Sequence, residues 1–157
     1  MAPTVARIVE AGIPVMGHIG LTPQSVHGLG GYRVQGRQRQ EAEQPPRDAQ
    51  ALEDVGVFAL VLETVPSPLA GLITRQLKIP MIGIGAGPEC DGQVQVLHDM
   101  LGLYTDIVPK HVKHYAALAE TIHAAFTQYA QKVKGSFPAK DHSFSMDESI
   151  LDNLGKP

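Results

Sequence analysis

A parallel-stranded α/β architecture is expected for this chain on three grounds. Short apolar runs suited to strands alternate with stretches whose apolar residues recur at helical spacing, the order of repeated strand–helix units. One run, Val57-Phe58-Ala59-Leu60-Val61-Leu62, is apolar without interruption, the pattern of a parallel strand covered on both faces. The chain's 157 residues, 43% of them apolar, suffice for one globular domain with a core.

The first element is a helix: Val5, Ile8 and Val9 share one face, and Gly12 supplies a C-terminal stop. A strand over Ile13–Met16 follows, then a glycine-punctuated loop from Gly17 to about Pro46. Loops of that length bury little and usually present chemistry or cover it. An interior proline costs a helix about 3 kcal/mol or more. The next helix is therefore expected to begin at or after Pro45-Pro46, over Arg47–Val55, with Leu52 and Val55 inward and Gly56 closing it.

Beyond the strand Val57–Leu62, Ser67 reads as an N-cap with Pro68 at the first helical position. That helix runs to about Lys78 and turns Leu69, Leu72, Ile73 and Leu77 toward the core. Ile79–Ile84 is a third strand leading into Gly85-Ala86-Gly87, and Val94–His98 a fourth. A long amphipathic helix is expected from about Lys110 to Lys134, with Val112, Tyr115, Leu118, Ile122, Phe126, Tyr129 and Val133 on one face. Residues 1–135 then form one unit and residues 136–157 a polar, irregular tail. Four strands fall short of a closed eight-stranded barrel, which needs about 250 residues. An open four-stranded sheet and a portion of a barrel both fit.

Composition narrows the functional classes. A net charge of -3 and a pI near 6.1 give no reason to expect a nucleic-acid or anionic-membrane partner. No apolar run approaches the roughly 18 residues of a membrane span. The single cysteine, Cys90, excludes an internal disulfide and fits a reducing compartment. No signal-peptide core is present at the start. A cytoplasmic setting is expected, or a mitochondrial one if a presequence precedes this stretch.

Glu63 is the foremost candidate for chemistry, because it follows six apolar residues and so lies at the carboxyl end of a buried strand. In parallel α/β folds ligands bind at that end. Burial there disfavours a charged carboxylate, which suits it to general acid–base work. A strand-end glutamate paired with a basic residue is an equally good reading of the pattern alone. His18, at the end of the preceding strand, opens onto the same mouth, where an imidazole can donate to a carboxylate or keto oxygen. Taken alone, a lone histidine more often bonds a backbone carbonyl.

Gly83-Ile84-Gly85-Ala86-Gly87 ends a strand in a tight turn that lets backbone approach a ligand. Its spacing and the following Pro88 exclude a dinucleotide-binding fingerprint. His98-Asp99 reads as a polar strand end, Asp99 capping the next turn. His111 and His114 stand at i, i+3 as zinc ligands can, but without acidic or cysteine partners they read as a solvated helix face. Cys90 has no nearby histidine or second cysteine and receives no nucleophilic role.

Several segments are similar, word for word, to the ketopantoate hydroxymethyltransferase family. They are Gly17-His18-Ile19-Gly20-Leu21-Thr22-Pro23-Gln24-Ser25, Gly30-Gly31-Tyr32-Arg33-Val34-Gln35-Gly36-Arg37, Leu60-Val61-Leu62-Glu63-Thr64-Val65-Pro66, the glycine turn continuing through Pro88-Glu89-Cys90-Asp91-Gly92-Gln93-Val94, and Asp141-His142-Ser143-Phe144. The resemblance covers about Val5 to Phe144. It implies the C-terminal portion of a (β/α)8 TIM-type barrel, about four parallel strands with their helices.

The implied activity is transfer of a hydroxymethyl group from 5,10-methylenetetrahydrofolate to 3-methyl-2-oxobutanoate, giving 2-dehydropantoate in pantothenate biosynthesis. Glu63 would be the catalytic base, His18 a substrate contact, and Gly83, Gly85 and Gly87 a wall of the substrate or folate pocket. The family uses Mg2+ to bind the keto acid and stabilise its enolate. Its metal-binding acids lie on strands earlier than those read here, so no residue of this chain is assigned as a metal ligand. The family's large homo-oligomers, and the strand edges a partial barrel would leave bare, imply self-association. The alternative is a non-catalytic, oligomerising or ligand-binding relic of the barrel. A lyase or aldolase on a related keto-acid barrel fits the loop segments less well.

Overall fold

The computed structural model describes residues 1–28 and 31–154. Gly30 of the Gly30-Gly31 pair and the last three residues of the expected tail lie outside them. Four parallel strands form one sheet in chain order: β1 (Met16–Gly20), β2 (Ala59–Glu63), β3 (Met81–Ile84) and β4 (Gly92–Gln93). Helix α1 (Ala2–Glu10) precedes β1. A short α2 (Arg39–Ala42) and then α3 (Gln44–Asp54) link β1 to β2, and α4 (Ser67–Gln76) links β2 to β3. After β4 come α5 (Leu97–Met100) and α6 (Leu118–Lys132). Sequential parallel strands joined by helices are the pattern of part of a (β/α)8 barrel.

Strand register sorts the side chains into two faces. Gly17, Leu60 and Met81 form one cross-strand row, and Ile19, Leu62 and Gly83 the next. All six are buried, and with Ala49 of α3 and Ala70 and Ile73 of α4 they make the core. The opposite face carries His18, Val61 and Ile82 in one row and Gly20, Glu63 and Ile84 in the next, all half-buried. The apolar run of β2 is thus covered on one face only, and Phe58 just before it is 51% exposed. This corrects the expectation of a strand buried on both sides. Helices α3 and α4 pack on the same side of the sheet, and no described helix covers the other.

Other boundaries also move. The first strand is Met16–Gly20 rather than Ile13–Met16, so His18 lies within it and not after it. Glycine is a poor strand former, but packing overrides propensity here. Leu60 and Leu52 fill the space that a side chain at Gly17 would take. Helix α3 starts one residue ahead of Pro45-Pro46. Prolines in a first turn forfeit no intrahelical bond. Ser67 is the first residue of α4 and makes no capping bond; its hydroxyl is turned against Gly87. Leu72 is 43% exposed, and Ala70 and Ile73 take the buried face.

The expected strand Val94–His98 is replaced by the two-residue β4 and the helical turn α5, so Asp99 lies inside a helix rather than capping one. β4 pairs with β3 only at Ile82 and Gly83. The long helix begins at Leu118, eight residues later than expected. Ahead of it, the Tyr115 N–H goes to Met100 O (2.7 Å) and the Leu118 N–H to Leu101 O (3.0 Å), bonds that hold residues 110–117 against α5. The apolar stripe of α6 does not face the core: Ile122, Phe126 and Tyr129 are 43%, 68% and 54% exposed. His111 and His114 are on no helix.

Candidate active site at the carboxyl edge of the sheet

Glu63 closes β2 and His18 lies two residues before the end of β1, on the same face. Gly20 stands directly across from Glu63, so no side chain separates the carboxylate from the imidazole. Their tips meet: Nε2 of His18 is 3.0 Å from Oε2 of Glu63, with side chains 31% and 15% exposed. The approach is short but misaligned, since Nε2 is shielded from solvent and makes no hydrogen bond of good geometry. A carboxylate backed by an imidazole, both opening onto the strand ends, can accept a proton from a bound molecule while the imidazole contacts that molecule's oxygen.

Thr64, the residue after Glu63, has φ +51, a left-handed conformation that costs a β-branched residue about 1–3 kcal/mol. Three backbone bonds hold the turn. The Thr64 N–H donates to Ile84 O (2.8 Å), its carbonyl accepts from the Gln35 N–H (2.9 Å), and Glu63 O accepts from the Leu21 N–H (2.9 Å). The Thr64 hydroxyl is buried without a partner. Strain and unsatisfied polar atoms of this kind cluster at ligand sites, which makes this edge a candidate.

The three candidate glycines are each overlaid by the chain itself. Gly83 turns toward Cys90 Sγ and Gln93 on the covered side of β3. Gly87, at φ +82, lies under Ser67. Gly85, at φ +64, lies under the imidazole of His111, whose Cγ and Nδ1 would come within 2.9 Å of an added Cβ. His111 is therefore a further imidazole at the strand ends. The helical period that placed it on a solvated face does not exist there, because residues 110–117 form no helix. His98, in α5, is exposed.

Among the described residues no three His, Cys, Asp or Glu side chains converge as metal ligands. Glu63 and His18 offer one carboxylate and one nitrogen, a poor set for magnesium, which favours oxygen. None of the described helices is long and apolar enough to cross a membrane.

Burial holds the Cys90 thiol above its ordinary pKa, the Asp91 charge adds to this, and a hydrogen bond with Thr74 partly offsets it. The reactive thiolate is correspondingly scarce at neutral pH. Alkylation by iodoacetamide at pH 8 should be slower than that of free cysteine and should catch up only as pH rises beyond the usual thiol range. Equal rates at pH 8 would contradict this.

A cavity of about 490 Å³ lies beside the edge, lined by Tyr32, Arg33, Gln35, Arg37 and Glu41 among others. The Gln35 bond to Thr64 ties its wall to the Glu63 turn. Sequence reading saw the loop as a cover and missed the cavity, although two arginines four residues apart in a glycine-bounded segment were a visible signal.

Residues 1–140 match the family model described as ketopantoate hydroxymethyltransferase. A 3-methyl-2-oxobutanoate hydroxymethyltransferase from Dehalococcoides mccartyi (strain CBDB1) is 56% identical over 157 residues, 99% of this chain and 56% of its own length. The protein of the same name from Chloroflexus aurantiacus is 57% identical over 152 residues, 96% of this chain and 54% of its own. That from Carboxydothermus hydrogenoformans is 55% identical over 155 residues, 98% and 56% respectively. The chain spans about half the length of the curated relatives it matches.

Proposed function

Because the chain belongs to the ketopantoate hydroxymethyltransferase family, we propose that its strand-end pair serves hydroxymethyl transfer from 5,10-methylenetetrahydrofolate to 3-methyl-2-oxobutanoate. The observation that carries this reading is the 3.0 Å approach of His18 Nε2 to Glu63 Oε2 at the carboxyl edge of the sheet. Glu63 takes the proton from the carbon next to the keto group. The electron pair left behind, delocalised onto the keto oxygen, forms the new carbon–carbon bond to the one-carbon unit, whose two carbon–nitrogen bonds to the folate break; one water supplies the product hydroxyl, and tetrahydrofolate leaves with protons on the two freed nitrogens. His18 lies against the carboxylate and donates its N–H to an oxygen of the keto acid. The Leu21 and Gln35 N–H groups bond to Glu63 O and Thr64 O, which holds these two residues beside the reacting groups. Magnesium, which the family resemblance implies, finds no adequate ligand set among the described residues, and no step of this reading is routed through it.

That same lack of a ligand set favours a second reading, a non-catalytic, ligand-binding relic of the barrel. Isothermal titration with 3-methyl-2-oxobutanoate, with and without Mg2+, separates the two. Magnesium-dependent binding supports the transferase; magnesium-independent or absent binding supports the relic.

We also propose that the chain self-associates. Among the described residues no strand pairs with the outer edge of β1, one sheet face is half-open, and α6 presents Phe126 and Tyr129 to solvent. Bare edges and contiguous apolar surface invite another chain. Size-exclusion chromatography with light scattering should give a mass of two or more chains, whereas a cooperatively unfolding 16.8 kDa monomer would rule this out. The relatives named above are bacterial proteins, which supports a cytoplasmic setting and gives a mitochondrial one no support.

A further inference from the structure

We infer that Thr64 is a positioning residue: its left-handed turn holds the Glu63 carboxylate against the His18 imidazole, and the chain keeps it there at a cost in stability. The catalytic meaning of that hold rests on the proton-transfer reading of Glu63; the hold itself does not.

Conformation is the first argument. Among the described residues every other positive φ belongs to a glycine, whereas Thr64 takes φ +51 with a β-branched side chain. A glycine there would be free of strain, having no Cβ to crowd the backbone. Strain of this kind persists only where the surroundings over-determine the backbone. They do so here. The peptide group joining Glu63 to Thr64 is bonded at both ends: its carbonyl accepts from the Leu21 N–H at 2.9 Å, and its N–H donates to Ile84 O at 2.8 Å. The Thr64 carbonyl in turn accepts from the Gln35 N–H at 2.9 Å. Together with the β2 ladder before it, that clamped peptide fixes the direction of the Glu63 Cα–Cβ bond.

The side chain is the second argument. Thr64 Oγ1 is closed to solvent and bonds to nothing among the described residues. It neither caps the turn nor reaches Glu63, so the residue acts through its backbone and its branch. The left-handed region is small for a β-branched residue, and branching stiffens the side chain as well. The turn therefore has little room to drift once the three bonds hold it, whereas glycine would let the carboxylate swing. The third argument is that nothing else fixes Glu63. Gly20, directly opposite, gives it no buttress on the β1 side, and the 3.0 Å approach to His18 Nε2 is too poorly aligned to hold it.

The test compares the full chain with Thr64→Val and Thr64→Gly. Three readouts are taken: thermal melting, the NMR cross-peak between the His18 ring protons and the Glu63 γ-methylene, and kcat and KM for deuterium exchange at C3 of 3-methyl-2-oxobutanoate. Thr64→Val keeps the branch and removes the unsatisfied hydroxyl, so it should melt no lower than the parent and retain its cross-peak and exchange rate. Thr64→Gly removes strain and branch together. It should melt no more than about 3 °C below the parent. Its cross-peak should nevertheless weaken, and its kcat should fall about tenfold or more with KM unchanged, the signature of a displaced base. A Thr64→Gly chain with the parent's cross-peak and kcat would overturn the inference. So would one that fails to fold or melts further below the parent, because the residue would then be structural. Loss of exchange in Thr64→Val with its cross-peak intact would also overturn it, since the hydroxyl would be acting directly. If the parent exchanges no faster than buffer, the reading of Glu63 as a base fails, and the cross-peak alone decides whether Thr64 holds the pair.

Discussion

Gly20→Ala should lower the unfolding free energy by about 2–5 kcal/mol, a loss few single methyl groups cause. Gly20 has φ +86, where an alanine is strained by about 1–2 kcal/mol. Its added Cβ would also collide with the carbonyl oxygen of Glu63 and come within 2.9 Å of Val65 Cγ2. Neither neighbour yields easily. The carbonyl is backbone and accepts the Leu21 N–H at 2.9 Å, and Val65 is 2% exposed. Overpacking of this kind adds about 1–3 kcal/mol. Urea unfolding followed by circular dichroism measures the change, and a loss under about 1 kcal/mol would mean that β1 and β2 do not meet as described. The same substitution displaces Glu63, so any ligand binding at the edge should fall with it.

Glu63→Gln should lower the rate of proton removal from the keto acid by about 10²–10⁴, the usual contribution of a general base. Glutamine keeps the shape and removes the acceptor charge. Its effect on stability should be small, under about 1 kcal/mol, because His18 is 31% exposed and partly exposed ion pairs contribute little. Rate and stability thus separate at Glu63 and move together at Gly20. A Glu63→Gln chain that unfolded as readily as Gly20→Ala would make the pair structural rather than chemical.

The parts of this molecule legible in the sequence are those fixed by local rules. The run ending in Glu63 announced β2, and Ser67-Pro68 announced α4 to within one residue, because strand hydrophobicity and helix-start chemistry act over a few positions. What stayed hidden depended on distant partners. Gly17 joins a strand only because Leu52 and Leu60 fill the space beside it, and His111 reaches Gly85 only because residues 110–117 bond to the end of α5 instead of continuing a helix. The valine pair Val94 and Val96 looked like a strand, but pairing with β3 stops at Gln93 and α5 begins at Leu97. The meeting of His18 with Glu63 was half legible. Their placement at successive strand ends was readable, whereas the 3.0 Å contact needed the register that sets Gly20 opposite Glu63.

The pair is most directly tested by a double-mutant cycle on deuterium exchange at the C3 position of 3-methyl-2-oxobutanoate in D2O, followed by proton NMR. The parent chain, Glu63→Gln, His18→Gln and the double variant are compared with buffer. Groups in contact act as a unit, so their effects fail to add. Exchange faster than buffer in the parent, with the double variant no slower than Glu63→Gln alone, is the predicted result. Parent exchange at the buffer rate, or two substitutions whose effects simply multiply, would contradict it.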